Sequence, residues 1–155
     1  MAFNAGAVNA LFAALVSEAQ QLGCFEQVIQ HEPKNAPTSL PACAIWWQVI
    51  RPARTSGLAS VSGVVSFRAR IYETAMLAEP PDAVDPGLLA HTGLLMAALS
   101  EGFTFGGTVR EVDLLGAEGE SLSAESGFIA HDSRTFRVAE LTVPVVINDL
   151  WDEEA

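Results

Sequence analysis

Basic residues are scarce in this chain: 8 Lys and Arg stand against 19 Asp and Glu, a formal net charge of −11 over 155 residues. Nucleic-acid backbones are held by cations that displace condensed counterions, so this balance argues against phosphate-backbone binding. Cysteine is nearly absent. Cys24 and Cys43 cannot build a disulfide framework, and Cys43, alternating with apolar residues, is expected to be a buried free thiol. Histidine occurs only at His31, His91 and His131. Scattered in this way, the histidines place no base beside a nucleophile. His91, between Leu88 and Leu95 at helical spacing, is expected at the edge of the core, and His131 in a solvated turn.

Metal and phosphate motifs are missing as well. Cys24, His31 and Cys43 come nearest to a zinc set but lack the short paired spacing such ligands need. Asp113, Glu118 and Glu120 flank a glycine turn without the alternating acids of a calcium loop, and are expected at a solvated hairpin tip. Gly106-Gly107 lacks the lysine of a phosphate loop and reads as a bulge or bend. No Gly-x-Ser-x-Gly elbow is present. The expectation is a protein that is not an enzyme and carries no cofactor or metal. No apolar run is read as membrane-spanning. Ala7 to Val16 has no basic residue before it, the first being Lys34, and its pattern continues helically, so it is not read as a signal peptide. A cytoplasmic setting with no membrane partner follows as the expectation.

What the chain has is apolar material: 50% hydrophobic residues, 17% charged, and a positive mean hydropathy. That excludes disorder and suggests more apolar surface than one small core absorbs. Val8, Leu11, Phe12, Leu15, Ala19 and Leu22 recur at helical spacing, predicting a helix from about Asn4 to Leu22 that stops at Gly23. A short extended piece, Phe25 to His31, leads into a loop, Glu32 to Pro41. Ala42 to Arg51 and Ser60 to Met76 alternate with period two and predict a long hairpin around Pro52 to Ala59. Asp85 is the predicted N-cap of a second helix, with Pro86 in its first position and Gly102 at its end. Strands follow over Thr108 to Leu115, around Ser126 to Ala130, and over Thr135 to Ile147. Pro144 predicts that the last strand lies near an edge, and Asp149 to Ala155 is expected to be a loose acidic tail apart from Trp151. The order α-β-β-β-α-β-β predicts a single α+β domain: a largely antiparallel, mixed sheet with two helices on one face.

Interface candidates follow from the faces of these strands. Alternation puts Trp46 and Ile50 on the outward face of their strand, and Phe136 and Val138 on a second apolar face of the last one. Arg51, Arg54 and Leu58, at the hairpin tip, and Trp151, in the tail, are further interface candidates. Arg68 and Arg70 share a face with Tyr72 and are expected to form a salt-bridged surface or to meet an acidic partner.

Several segments, taken together and in order, resemble the tail terminator proteins of long-tailed (siphovirus-type) bacteriophages. They are Leu22-Gly23-Cys24-Phe25-Glu26-Gln27-Val28, Ser56-Gly57-Leu58, Glu79-Pro80-Pro81-Asp82-Ala83-Val84-Asp85-Pro86, Val109-Arg110-Glu111-Val112-Asp113-Leu114 with Gly116 and Gly119, and Leu141-Thr142-Val143-Pro144-Val145. The resemblance implies a virion protein assembled in the host cytoplasm. It would form a ring, typically a hexamer, that caps the tail tube, ends its polymerisation and docks to the head completion or neck protein. Six copies at −11 each carry −66, and an acidic lumen lets DNA pass without sticking. On this reading Glu118 and Glu120 face the lumen or a ring partner, and the tip with Arg51 and Arg54 meets the tube. Two competing expectations are another head–tail connector or minor tail protein, and a small cytoplasmic ligand-binding domain.

Overall fold

The computed structural model describes residues 2–54, 60–75, 81–101 and 109–152. Its elements in chain order are β1 (Ala2–Phe3), α1 (Ala5–Gln21), β2 (Gln27–Ile29), β3 (Ala42–Pro52), β4 (Ser60–Ala75), α2 (Pro81–Ser100), β5 (Val109–Val112), β6 (Ser123–His131) and β7 (Arg134–Asp152). The fold is α+β, as expected; all three segments read as extended after the second helix are strands, and the two-residue β1 is added. One mixed seven-stranded sheet runs β2-β3-β4-β7, and β7 then carries β6, β5 and β1 in succession along its other side. Only the β2–β3 pair is parallel.

Helix α1 starts where Asn4 accepts the N–H of Ala7 at 3.0 Å, a side-chain cap for an otherwise unpaired amide. It ends as Gly23 turns to φ +70 and donates to the Gln20 carbonyl, the left-handed exit that glycine adopts without penalty. Val8, Leu11, Leu15, Val16 and Ala19 are its buried stripe. Helix α2 begins a turn earlier than predicted, at Pro81, with Asp82 in its first turn and Pro86 inside it. Asp85 is therefore not a cap. Its carboxylate lies on the surface and pairs with Arg137 at 2.8 Å, which holds its pKa below the usual carboxylate value. By length and composition α2 could cross a membrane; here Val84, Leu88, Leu95 and Leu99 pack it onto the sheet.

The principal core lies between the helices and one face of the sheet. Cys43 and Ile45 of β3, Val65, Phe67, Ala69 and Ile71 of β4, and Ala139, Leu141, Val143, Val145 and Ile147 of β7 line that helix face. Cys43 is fully buried, as the alternation requires, and burial pushes its thiol pKa up to about 12.

As expected from Pro144, β7 lies near an edge: it is one strand in from the margin formed by β6, β5 and β1, and Pro144 is accommodated by a gap between those partners. The Pro144 carbonyl accepts the N–H of Asp113, so Pro144 presents its backbone polar side away from β4. There β6 has ended its pairing at Thr142 and β5 begins at Val145. The missing N–H thus costs no ladder bond. The predicted loose tail is also strand as far as Asp152. Opposite Ser62 the strand bulges through 148–150, with Asp149 at φ 53. The bulge drops Leu150, fully buried, over Gly63, where a Cβ would come within 2.3 Å of Leu150 Cδ2. Trp151 then packs on Phe3 at 5.4 Å between ring centres.

The Leu150→Ala variant is expected to lose about 2–5 kcal/mol of unfolding free energy in urea titration. A loss below about 1 kcal/mol would mean that the tail strand contributes little to the core.

Candidate functional site

The far face of the sheet, away from the helices, is covered by two loops of the same chain. Residues 30–41 cross it at one end, tied by the Ala36 N–H to the Asp132 carboxylate at 3.0 Å. Asp132 and Ser133 both have positive φ (52 and 64), the two-residue turn that matches strand twist in the β6–β7 hairpin. Beneath this loop Ile29, Ala42, Ala44, Trp46, Tyr72, Phe136 and Val138 form a second apolar cluster. Residues 113–122 cover the other end. The Asp113 carboxylate accepts the N–H groups of Gly116, Ala117 and Glu118 at 2.9–3.0 Å, and the Glu118 carboxylate accepts the Arg54 N–H at 2.8 Å. Asp113 and Glu118 are both buried. This acidic loop is folded down on the sheet and is not a solvated tip.

Between the places these loops reach lies a groove of about 350 Å³ over β4, β7 and β6. Arg70 is its most constrained member. Its Nε donates to Glu140 at 3.3 Å, its Nη1 donates to the Tyr72 hydroxyl at 3.1 Å, and its guanidinium lies 5.0 Å from the centre of the Trp46 ring. Burial opposes its charge, but Tyr72 and Glu140 outweigh it and hold the pKa above the ordinary arginine value. Burial also raises the Tyr72 pKa, against the pull of Arg70. With Arg70 donating to its oxygen, Tyr72 can direct its own proton to His131 Nε2, 2.9 Å away. His131 is therefore a half-buried member of the network, not a solvated turn residue. Arg68 contacts Thr142 Oγ1 and lies 4.0 Å from Glu120. The expected salt-bridged arginine surface is present, satisfied largely from within the chain.

Several predicted interface residues are placed differently. Trp46 is buried and Trp47 is the exposed tryptophan, at 54%. The register slips between Trp47 and Val49, so Trp46 lies opposite Arg68 on the far face while Ile50 lies opposite Val65 and packs in the helix-face core. A bulge at Gln48 broke the alternation that had put Trp46 and Ile50 together. Phe136 and Val138 are buried under the 30–41 loop. Trp151 is half-buried against Phe3. Arg51 lies beside Gly119, whose added Cβ would meet its Nη2 at 3.4 Å, whereas Arg54 is exposed. Glu118 is turned inward, and Glu120 keeps 37% of its side chain exposed. Leu58 and Gly106-Gly107 lie outside the described residues.

On the helix face His91 Nδ1 meets Glu73 at 2.6 Å and its ring packs on Phe25. Burial raises the Cys24 pKa, and the charge of Glu73 adds to this. No hydrogen bond joins Cys24 to His91 among the described residues, and among them no three His, Cys, Asp or Glu side chains gather as metal ligands.

The unsatisfied surface lies at the sheet edges. Strand β6 pairs with β7 on one side, and no described strand lies on its other side. Between α2 and β6 runs a mostly apolar cleft of about 530 Å³ bounded by Leu88, Leu89, Ala124 and Ala139, together with the Asp85–Arg137 pair. At the opposite end of the sheet, β3 pairs with β2 only over Ala42–Ala44, and beyond that no described strand lies on its outer edge, where Trp47 and Val49 are exposed. Sequence reasoning missed both edges, because which strand ends a sheet is a property of the topology.

The Asp113→Ala variant is expected to lose about 2 kcal/mol, since it strands three N–H groups of a packed loop, and Asp113→Asn less. Faster amide exchange at 116–118 checks the cause; equal and negligible losses in both would contradict it. Comparison with known protein families and with curated proteins found no match to this chain.

Proposed function

We propose that this chain is a structural subunit that closes into a ring, and that the ring is a phage tail terminator. It caps the tail tube, ends its growth and offers a surface to the neck of the head. The likeness of its segments to that family supports the identity of the particle. The observation that carries the assembly reading is the disposition of surface: Arg68 and Arg70 of the far face are paired internally, while Trp47 and Val49 on β3 and Phe128 on β6 stand exposed at opposite edges of one sheet. Such an arrangement suits two different patches per subunit, the requirement of a head-to-tail ring. The net charge of −11 suits a channel that DNA traverses without binding.

Tail length is the decisive readout. With the reading frame interrupted in a phage that carries it, electron micrographs of lysates are expected to contain overlong, headless tails. Normal-length tails that fail to join heads would instead assign the chain to a connector. The apolar cleft favours a ligand-binding domain, and unaltered particles together with a small molecule that raises the melting temperature would move the reading there.

A further inference from the structure

We propose that copies of this chain join edge to edge: the outer edge of β6 in one copy adds antiparallel to the open edge of β3 in the next, and Trp47 seats in the cleft between α2 and β6. The seam deepens the ring reading and relies on it only for closure.

Four observations converge on this pairing. First, β6 runs nine residues in unbroken register with β7 and contains no proline or bulge and one acidic residue, Glu125, so it carries few of the devices by which monomeric proteins blunt an open edge. Second, strand direction fits. The path β6-β7-β4-β3 is antiparallel at every step, so β6 and β3 run in opposite directions. A head-to-tail repeat that carries the sheet onward preserves direction, so β6 meets the next β3 antiparallel. Third, the faces match. Trp47 lies opposite Phe67, on the helix face, and the cleft beside β6 opens on that same face, between Leu88 and Ala124. In a continuous sheet the exposed indole of one copy therefore reaches the apolar hole of its neighbour, as side chains of an added strand fill flanking pockets. Fourth, charge complements. With Trp47 beside 124–126, antiparallel pairing lays exposed Arg54, seven residues on, beside the acidic segment that leads into β6, where Glu120 keeps part of its side chain exposed. Knob and hole are different surfaces, so the contact is heterologous and propagates until it closes.

Two substitutions on exposed positions separate the halves of the seam. Trp47→Glu removes the knob and Ala124→Arg plugs the hole. By light scattering on the full chain, each variant alone is expected to self-associate at least about thirtyfold more weakly than wild type, the effect of losing one interface anchor. An equimolar mixture is expected to regain association, because the Ala124→Arg copy still offers Trp47 to the intact cleft of the Trp47→Glu copy. That rescue, with urea midpoints close to wild type, excludes misfolding, and Trp47→Phe is expected to retain assembly. A wild-type chain that stays monomeric up to about 1 mM overturns the seam, as does assembly that survives either variant. Loss in Trp47→Glu alone, with Ala124→Arg unaffected, indicates twofold β3–β3 pairing and overturns it too. A seam confirmed in solution beside tails of normal length would remove the terminator reading and leave the seam standing.

Discussion

The fold depends on β7 having partners along both sides. Nineteen residues of strand meet β4 along one side and β6, β5 and β1 in turn along the other. The helix face of β7, Ala139, Leu141, Val143, Val145 and Ile147, is apolar throughout, whereas its far face sets buried Phe136, Val138 and Val146 beside Glu140 and Thr142 of the groove. Each irregularity in β7 has a matching accommodation nearby. Pro144 falls where one partner strand has stopped and the next begins, and the bulge at 148–150 drops Leu150 onto a position that only glycine leaves open. Without β7, neither helix has a complete surface to lie on, and β5, β6 and β1 have no partner among the described strands.

The second consequence concerns the far face. A sheet with helices on one side only leaves its other side to be covered, and two loops do this by opposite means. The 30–41 loop closes over an apolar cluster, whereas the 113–122 loop is a compact acidic turn whose carboxylates are consumed by backbone N–H groups. The arginines that remain between them are held by Glu140, Tyr72, Thr142 and Glu120. Polar groups paired in this way have little left to offer a partner, which moves the interaction potential of the molecule to its edges.

How legible this was in the sequence follows the range of the forces involved. Helix α1, strands β3 and β4, the buried thiol of Cys43 and the α+β class are set by local periodicity and capping, and they were readable. The start of α2 was misread because two prolines compete for the first helical position, and Pro81 took it. Trp46 and Ile50 were misassigned by a one-residue bulge, which inverts every face beyond it. The burial of Phe136, Val138 and Glu118 depends on loops distant in sequence that fold over them. His91 with Glu73, and His131 with Tyr72, are pairs between elements that no spacing rule connects.

Exposed Trp47 and Val49 on β3 and Phe128 on β6 suit the proposed continuation of the sheet into a neighbour. A ring is the closed form of such continuation, and a capping ring on a tail tube is the role that the sequence likeness supplies. Negative-stain imaging of the concentrated full-length protein tests this most directly. The account predicts uniform annular particles with a central hole and cyclic symmetry; a field of open filaments or of single small globules would contradict it.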